Sequence, residues 1–170
     1  MSVLMMEKKV VAKKVLERAG ISVPGGYEYT SPEAGMADYC LYAGKPVVIK
    51  PKSTNFGLGI TILKHNYDET DFKAALQIAF EHDNTVLIEK FIPGREFRIF
   101  IINDEVVGIL HRVPANVTGD GVLNIGQLID KKNEDPLRGK GYRTPLEKRR
   151  KGREEEVFLK QQGMDFNTVP

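Results

Sequence analysis

A single cysteine, Cys40, occurs in the 170 residues, so no internal disulfide can form and the chain suits a reducing compartment. Tyr39, Leu41 and Tyr42 around it predict a small packed side chain rather than a reactive thiol. No apolar run approaches the roughly 20 residues that span a bilayer, and Met1 to Met6 is too short, and lacks the charged start, to be a signal peptide. A soluble, cytoplasmic protein without a membrane partner is expected. Charge of one sign is barely in excess, at +2. Basic residues crowd Lys131 to Arg153, densest at Arg149-Arg150-Lys151, but Glu154-Glu155-Glu156 follows at once. With no aromatic platform beside it, this reads as a charge-balanced helix surface and excludes nucleic acid as the expected partner. His65, His82 and His111 lack metal-ligand spacing, and Asp165-Phe166-Asn167 reads as a turn with a polar cap.

What is present is globular. Hydrophobic content of 41% and charged content of 28% fit a soluble domain long enough to bury a core. Val10, Val11, Val15 and Leu16 recur at helical spacing between Glu7 and Ala19, and Gly20 ends the pattern. Ser31-Pro32-Glu33 predicts a capped helix running to about Tyr42. Asp68 to Glu81 carries Phe72, Ala75, Leu76, Ala79 and Phe80 on one helical face. Thr85 to Glu89 is a short strand. Arg95 to Ile102 alternates, with Phe97, Ile99 and Ile101 opposite Glu96, Arg98 and Phe100; Asn103-Asp104 then turns into Glu105 to Val113. A helix from about Asn124 to Asn133, a loop through Gly141 and a charged helix from Pro145 to Gln162 complete the reading. Helices and hairpins in this order predict an α+β domain with an antiparallel sheet.

Two segments carry chemistry. In the first, Val47-Val48-Ile49-Lys50-Pro51 runs into Lys52-Ser53-Thr54-Asn55-Phe56-Gly57-Leu58-Gly59 and then Ile60-Thr61-Ile62-Leu63, which reads as strand, loop, strand. Glycine lets such a loop lay backbone N–H groups over an anion, and Lys50 adds a point charge, so a polyphosphate is the fitting ligand. The loop does not open a helix, unlike a P-loop or a dinucleotide fingerprint, and the lysine precedes the glycines, unlike a protein kinase. A plain hairpin with a solvated lysine is the bland alternative. In the second, Val86-Leu87-Ile88-Glu89-Lys90-Phe91-Ile92-Pro93-Gly94 bends into Arg95-Glu96-Phe97-Arg98. Backbone groups at that bend suit an adenine edge, Glu96 suits ribose hydroxyls, and Arg98, on the same face, suits a phosphate or carboxylate. An ordinary hairpin with a surface ion pair is the alternative here.

Together the two segments resemble the nucleotide-binding half of the ATP-grasp ligases. Lys50 to Ile60, Arg112-Val113-Pro114-Ala115-Asn116-Val117 with Gly119-Asp120-Gly121, Asn133 to Gly139, Thr144-Pro145-Leu146 and Gln161-Gln162-Gly163 are similar to the glutathione synthetase portion of the bacterial bifunctional glutamate-cysteine ligase/glutathione synthetases, over about Glu7 to Pro170. The resemblance implies an N-terminal helix and connector over 1–26, a lid subdomain over 27–90 and a partial sheet subdomain over 91–170, incomplete at the C-terminus. It also implies that Lys9 and Lys50 contact the ATP phosphates, that Ser53 to Gly59, with Ser53, Gly57 and Gly59, closes over them, and that Glu89, Lys90 and Ile92 form the adenine hinge. Glu96 would accept from ribose, and Arg98 and Arg112 would face the γ-phosphate and the carboxylate substrate as catalytic groups.

In that family ATP phosphorylates the C-terminal carboxylate of γ-glutamylcysteine, and glycine displaces the phosphate; alignment and charge neutralisation do most of the work. The Mg²⁺ ligands are expected farther along than Pro170, so no metal ligand is assigned and an inactive nucleotide-binding or interaction module is the alternative. His111-Arg112-Val113-Pro114 is also similar to the cyanophycin synthetases, which would change the substrate to a peptide. Apolar surface on an incomplete domain would favour homo-oligomers.

Overall fold

The first strand pair shows how alternation becomes architecture: Val47, Ile49 and Pro51 are buried while Val48 and Lys50 are half-buried on the other face. The computed structural model describes residues 9–54, 57–64, 66–141 and 143–170, without the side chain of Lys9. The expected helix start at Glu7, Asn55 and Phe56 of the loop, and His65 lie outside the described residues.

The chain divides into two units, each described by itself. The first comprises the described residues up to Phe91 together with Gly152–Asp165. Its elements are α1 (Lys9–Arg18), β1 (Gly26–Tyr29), α2 (Pro32–Ala37), α3 (Tyr39–Tyr42), β2 (Val47–Pro51), β3 (Thr61–Leu63), α4 (Glu69–Phe80), β4 (Val86–Lys90) and, from the end of the chain, α6 (Arg153–Lys160). The strands form an antiparallel four-stranded sheet in the order β1-β4-β2-β3. Helix α4 starts where Asp68 and Asp71 cap each other's backbone N–H, as a capping box requires. It buries Phe72, Ala75, Leu76 and Ala79 in one cluster with Ile49, Leu63, Val86 and Ile88. Burying each large aliphatic side chain contributes about 1.5–3 kcal/mol. Tyr29, Tyr42 and Tyr67 join that cluster and satisfy their hydroxyls inside it. Tyr29 and Tyr42 share a 2.7 Å hydrogen bond; the Tyr67 hydroxyl donates to the carbonyls of Tyr42 and Lys45, and burial pushes it up to about 12.

The second unit comprises Ile92–Lys151 and Phe166–Pro170. It holds a two-stranded hairpin of β5 (Glu96–Ile102) and β6 (Glu105–Arg112), α5 (Ile125–Asn133), and a short parallel pair of β7 (Arg138–Gly139) and β8 (Leu146–Glu147). Asn103 and Asp104 take positive φ of 47° and 67°, which matches the twist of a two-residue hairpin turn. Asn124 and Gln127 cap the start of α5 reciprocally, and α5 buries Ile125, Leu128 and Ile129.

Five local expectations are corrected. The helix expected to Tyr42 breaks at Asp38, which accepts a hydrogen bond from the Tyr29 hydroxyl at 2.8 Å and separates α2 from α3. The helix expected from Pro145 begins only at Arg153. Leu146 and Lys148 instead donate to the carbonyls of Leu137 and Gly139, and Arg149 donates to Asn133 Oδ1, so the backbone before Gly152 is satisfied in extended form. At Gly152 the Glu155 carboxylate accepts the backbone N–H and three glutamates occupy the first turn, where the helix dipole favours them. The loop expected through Gly141 contains β7, and Cys40 is exposed rather than packed. Strand β1, read only as chain beyond a connector, pairs with β4 from Gly26 to Tyr29.

Candidate functional site

Strand β2 delivers Lys50 to the face of the sheet turned away from α4, because its neighbours Ile49 and Pro51 take the core side. Val48 pairs with Glu89 on β4, which sets Glu89 diagonally across from Lys50 on that same face. Glu89 is buried and its carboxylate ion-pairs with two lysines: Lys50 through Oε2 and, from α1, Lys13 through Oε1 at 3.0 Å. Burial works to raise the Glu89 carboxyl, but the bond and charge of Lys50, then of Lys13, outweigh it and hold the group below the usual glutamate range. The Lys90 N–H donates to Gly25 O at 2.8 Å and the Phe91 N–H to Pro46 O at 3.0 Å, which fixes the end of β4. The Lys90 side chain is exposed.

The loop after β2 is tethered by carboxylates on its backbone donors. Ser53 N–H donates to Asp83 Oδ2 at 2.7 Å, and Thr85 N–H donates to the other Asp83 oxygen at 3.1 Å. These bonds prevail over a burial effect that works to raise Asp83, and hold it below its usual value. Gly59 N–H donates to Glu154 Oε1 at 3.2 Å. Gly57 and Gly59 have φ of 72° and 70°, the left-handed region that disfavours a Cβ; at Gly59 a Cβ would also lie 2.7 Å from both Pro51 Cγ and His82 Cδ2. Two backbone donors of this loop, the N–H groups of Ser53 and Gly59, thus already hold anionic oxygens.

In the second unit Glu96 pairs with Arg112 across the hairpin, with Arg112 Nη1 2.6 Å from Glu96 Oε1. Both are more than half exposed, so the pair contributes at most about 1 kcal/mol. Arg98 lies two residues on along the same strand, opposite Leu110. Ile92 is exposed, and the division between the units falls just before it, inside the expected adenine hinge. Among the described residues no three His, Cys, Asp or Glu side chains gather to hold a metal, and no helix is long and apolar enough to cross a membrane.

Of the residues expected from sequence, the first unit brings Lys50 and Glu89 together and sets Ser53, Gly57 and Gly59 on one loop; the second brings Glu96 and Arg112 together with Arg98 beside them. Lys9 lies on α1, its side chain outside the described residues. Sequence reasoning missed Lys13, Asp83 and Glu154. Asp83, two residues before Thr85 in an Asx turn, had a local signal; Lys13 and Glu154 had none, since their partners lie 76 and 95 residues away.

The sequence matches the family described as "D-ala D-ala ligase C-terminus" over residues 25–129, a span that includes the Lys50 loop and the Glu96 hairpin. The chain belongs to this family, an ATP-grasp domain. This ATP-grasp chain is 57% identical, over 99% of its length, to the "Glutathione biosynthesis bifunctional protein GshAB" of Desulfotalea psychrophila, and 50% identical over 98% to that of Clostridium perfringens. It spans 22% of the length of each. It is also similar to the crystal structure of D-alanine–D-alanine ligase from Bacillus anthracis complexed with ATP, at 31% identity over 63% of this chain and 34% of that one, with a TM-score of 0.50. The fold is therefore α+β ATP-grasp.

Proposed function

We propose that the chain is the ATP-binding part of an ATP-dependent carboxylate–amine ligase that completes glutathione. The observation that carries this reading is the 57% identity over 99% of the chain to a protein named for glutathione biosynthesis, which favours glutathione over a cyanophycin-like peptide. The Lys50–Glu89 placement beside a glycine loop supports the nucleotide role. In the reaction the C-terminal carboxylate of γ-glutamylcysteine attacks the γ-phosphorus of ATP and ADP leaves; the glycine amine then attacks the acyl phosphate, forms the amide, loses a proton and releases inorganic phosphate.

The residues of the first unit supply the nucleotide contacts. Lys50 neutralises phosphate charge. Ser53, Gly57 and Gly59 present their loop over the phosphates, with the Ser53 and Gly59 N–H groups exchanging Asp83 and Glu154 for phosphate oxygens. The backbone of Glu89 and Lys90 closes the adenine end, which leaves the Glu89 carboxylate to Lys50 and Lys13. In the second unit Ile92 adds an apolar wall, Glu96 accepts from ribose, and Arg98 and Arg112 stabilise charge on the transferring phosphoryl and the carboxylate. Opening the Glu96–Arg112 pair costs little at its exposure. The described residues do not fit a Mg²⁺ site, and no step is assigned to a metal held by them.

Calorimetric titration with ATP tests the binding. The wild type should bind, and Lys50→Ala should bind about 10- to 100-fold more weakly, the scale of a lost hydrogen bond to a charged group; a folded wild type that gives no heat rejects the reading. Phosphate release that requires both γ-glutamylcysteine and glycine tests the reaction, and release with another peptide acceptor in their place rejects the assigned substrates.

A further inference from the structure

The carboxylate that holds Lys50 holds a second cation as well. Lys13 Nζ sits 3.0 Å from Glu89 Oε1, while Lys50 takes Oε2. The side chains of Lys13, Lys50 and Glu89 are 21%, 23% and 8% exposed, so water screens this cluster poorly. Two ammonium groups against one carboxylate leave one positive charge over. With Lys50 alone, the pair would be neutral: an arriving phosphate would have to compete with Glu89 for Lys50 and would meet the field of a carboxylate satisfied on only one oxygen. Lys13 takes the other oxygen and cancels the Glu89 charge, so the Lys50 ammonium is available to an anion in net terms.

We propose that Lys13 is a positioning residue for the nucleotide phosphates, acting through Glu89: it neutralises and orients that carboxylate so that Lys50 can hold phosphate. The proposal rests on the reading that the chain binds ATP. It requires Lys13 to matter for phosphate and not for the nucleoside, and to matter only while Glu89 is charged.

The test is calorimetric titration of the full chain with ATP and with adenosine, for wild type, K13M, K13Q, K13R, E89Q and the K13M/E89Q pair. K13M keeps the apolar stem and removes the charge, whereas K13Q keeps a donor for Glu89 without charge; thermal melts identify which of them is folded at the titration temperature. The expected result is ATP binding weakened about tenfold in K13M and K13Q, the scale of one charge-assisted bond, with adenosine binding unchanged and K13R close to wild type. In the E89Q background K13M should have no further effect, which is the non-additivity of residues acting as a unit. Wild-type ATP affinity in K13M or K13Q overturns the proposal, as does an equal loss for adenosine or an undiminished loss in the E89Q background. Absence of ATP binding by folded wild type instead removes the nucleotide reading on which the proposal stands.

Discussion

Strands β2 and β4 and strands β5 and β6 are written in the same residues and end in opposite surroundings. Val47, Ile49, Val86 and Ile88 are at most 2% exposed, whereas Ile99, Ile101, Val106 and Ile109 are 56–61% exposed. Both pairs are antiparallel, the second with a register shift between Phe100 and Ile101, so alternation and turn chemistry suffice to make a strand pair. What differs is the covering layer. Helix α4 lays Phe72, Leu76 and Ala79 on the first sheet, and β1 and β3 flank its central strands. Among the described residues the hairpin has no flanking strands and every position but the half-buried Gly108 is exposed, and a lone two-stranded hairpin is marginally stable in water. Apolar content therefore reports the capacity for burial, and a neighbouring layer decides whether it is used.

Substitutions on the two sides should separate by an order of magnitude. Phe72→Ala should destabilise the first unit by about 3–5 kcal/mol, since a fully buried ring leaves a cavity; a loss below about 1 kcal/mol in chemical denaturation would break the contrast. Glu89→Gln should cost about 1–3 kcal/mol, because two lysines lose a charged acceptor in a dry site. The same pair gives the first unit an acid limb. Glu89 is held below its ordinary 4.5, so the stabilisation is present above pH 4.5 and disappears as pH falls through the lower folded value. Glu89→Gln should flatten that limb in a pH series of melts. On the alkaline side the sign reverses: Tyr67 stays neutral in the fold up to about 12 against an ordinary 10.0, so its contribution is complete below pH 10.0 and is lost as pH climbs toward 12. Tyr67→Phe should reduce that dependence, and burial of Tyr29 and Tyr42, raised in the same cluster, should supply the remainder. The smallest effect belongs to the hairpin, where Ile109→Thr should change stability by no more than about 0.5 kcal/mol; a cost comparable to that of Phe72→Ala would mean that the hairpin is buried in solution.

Legibility followed range. Helix α4 was readable because its apolar stripe from Phe72 to Phe80 lies within a few turns of one helix; its Asp68–Asp71 cap came from the structure. The Lys50 loop was readable for the same reason, with β2, two glycines and β3 contiguous. The break at Asp38 was not, because the Tyr29 hydroxyl that holds Asp38 belongs to another strand. Charged residues from Pro145 onward fit a helix by composition, yet Asn133 and β7 take the backbone bonds first. In the candidate site the chemistry of Lys50, Glu89, Glu96 and Arg112 was visible one residue at a time. Their partners were not, and the expected packing of Cys40 failed because aromatic neighbours in sequence do not specify the direction in which a short side chain points.

By itself the sequence determined strands β2 to β6, the turn at Asn103-Asp104, the capped start of α2, helices α4 and α5 and the glycine loop after Lys50, since each rests on dihedral preference or periodicity within a few residues. It also determined the family, through side chains strung along nearly its whole length. Only the tertiary structure decided that Glu89 is shared between Lys50 and Lys13, that Asp83 and Glu154 hold the loop, and that one apolar strand pair is covered while the other faces water. Those outcomes depend on groups distant in the chain meeting at separations of about 3 Å, which pattern and composition do not encode.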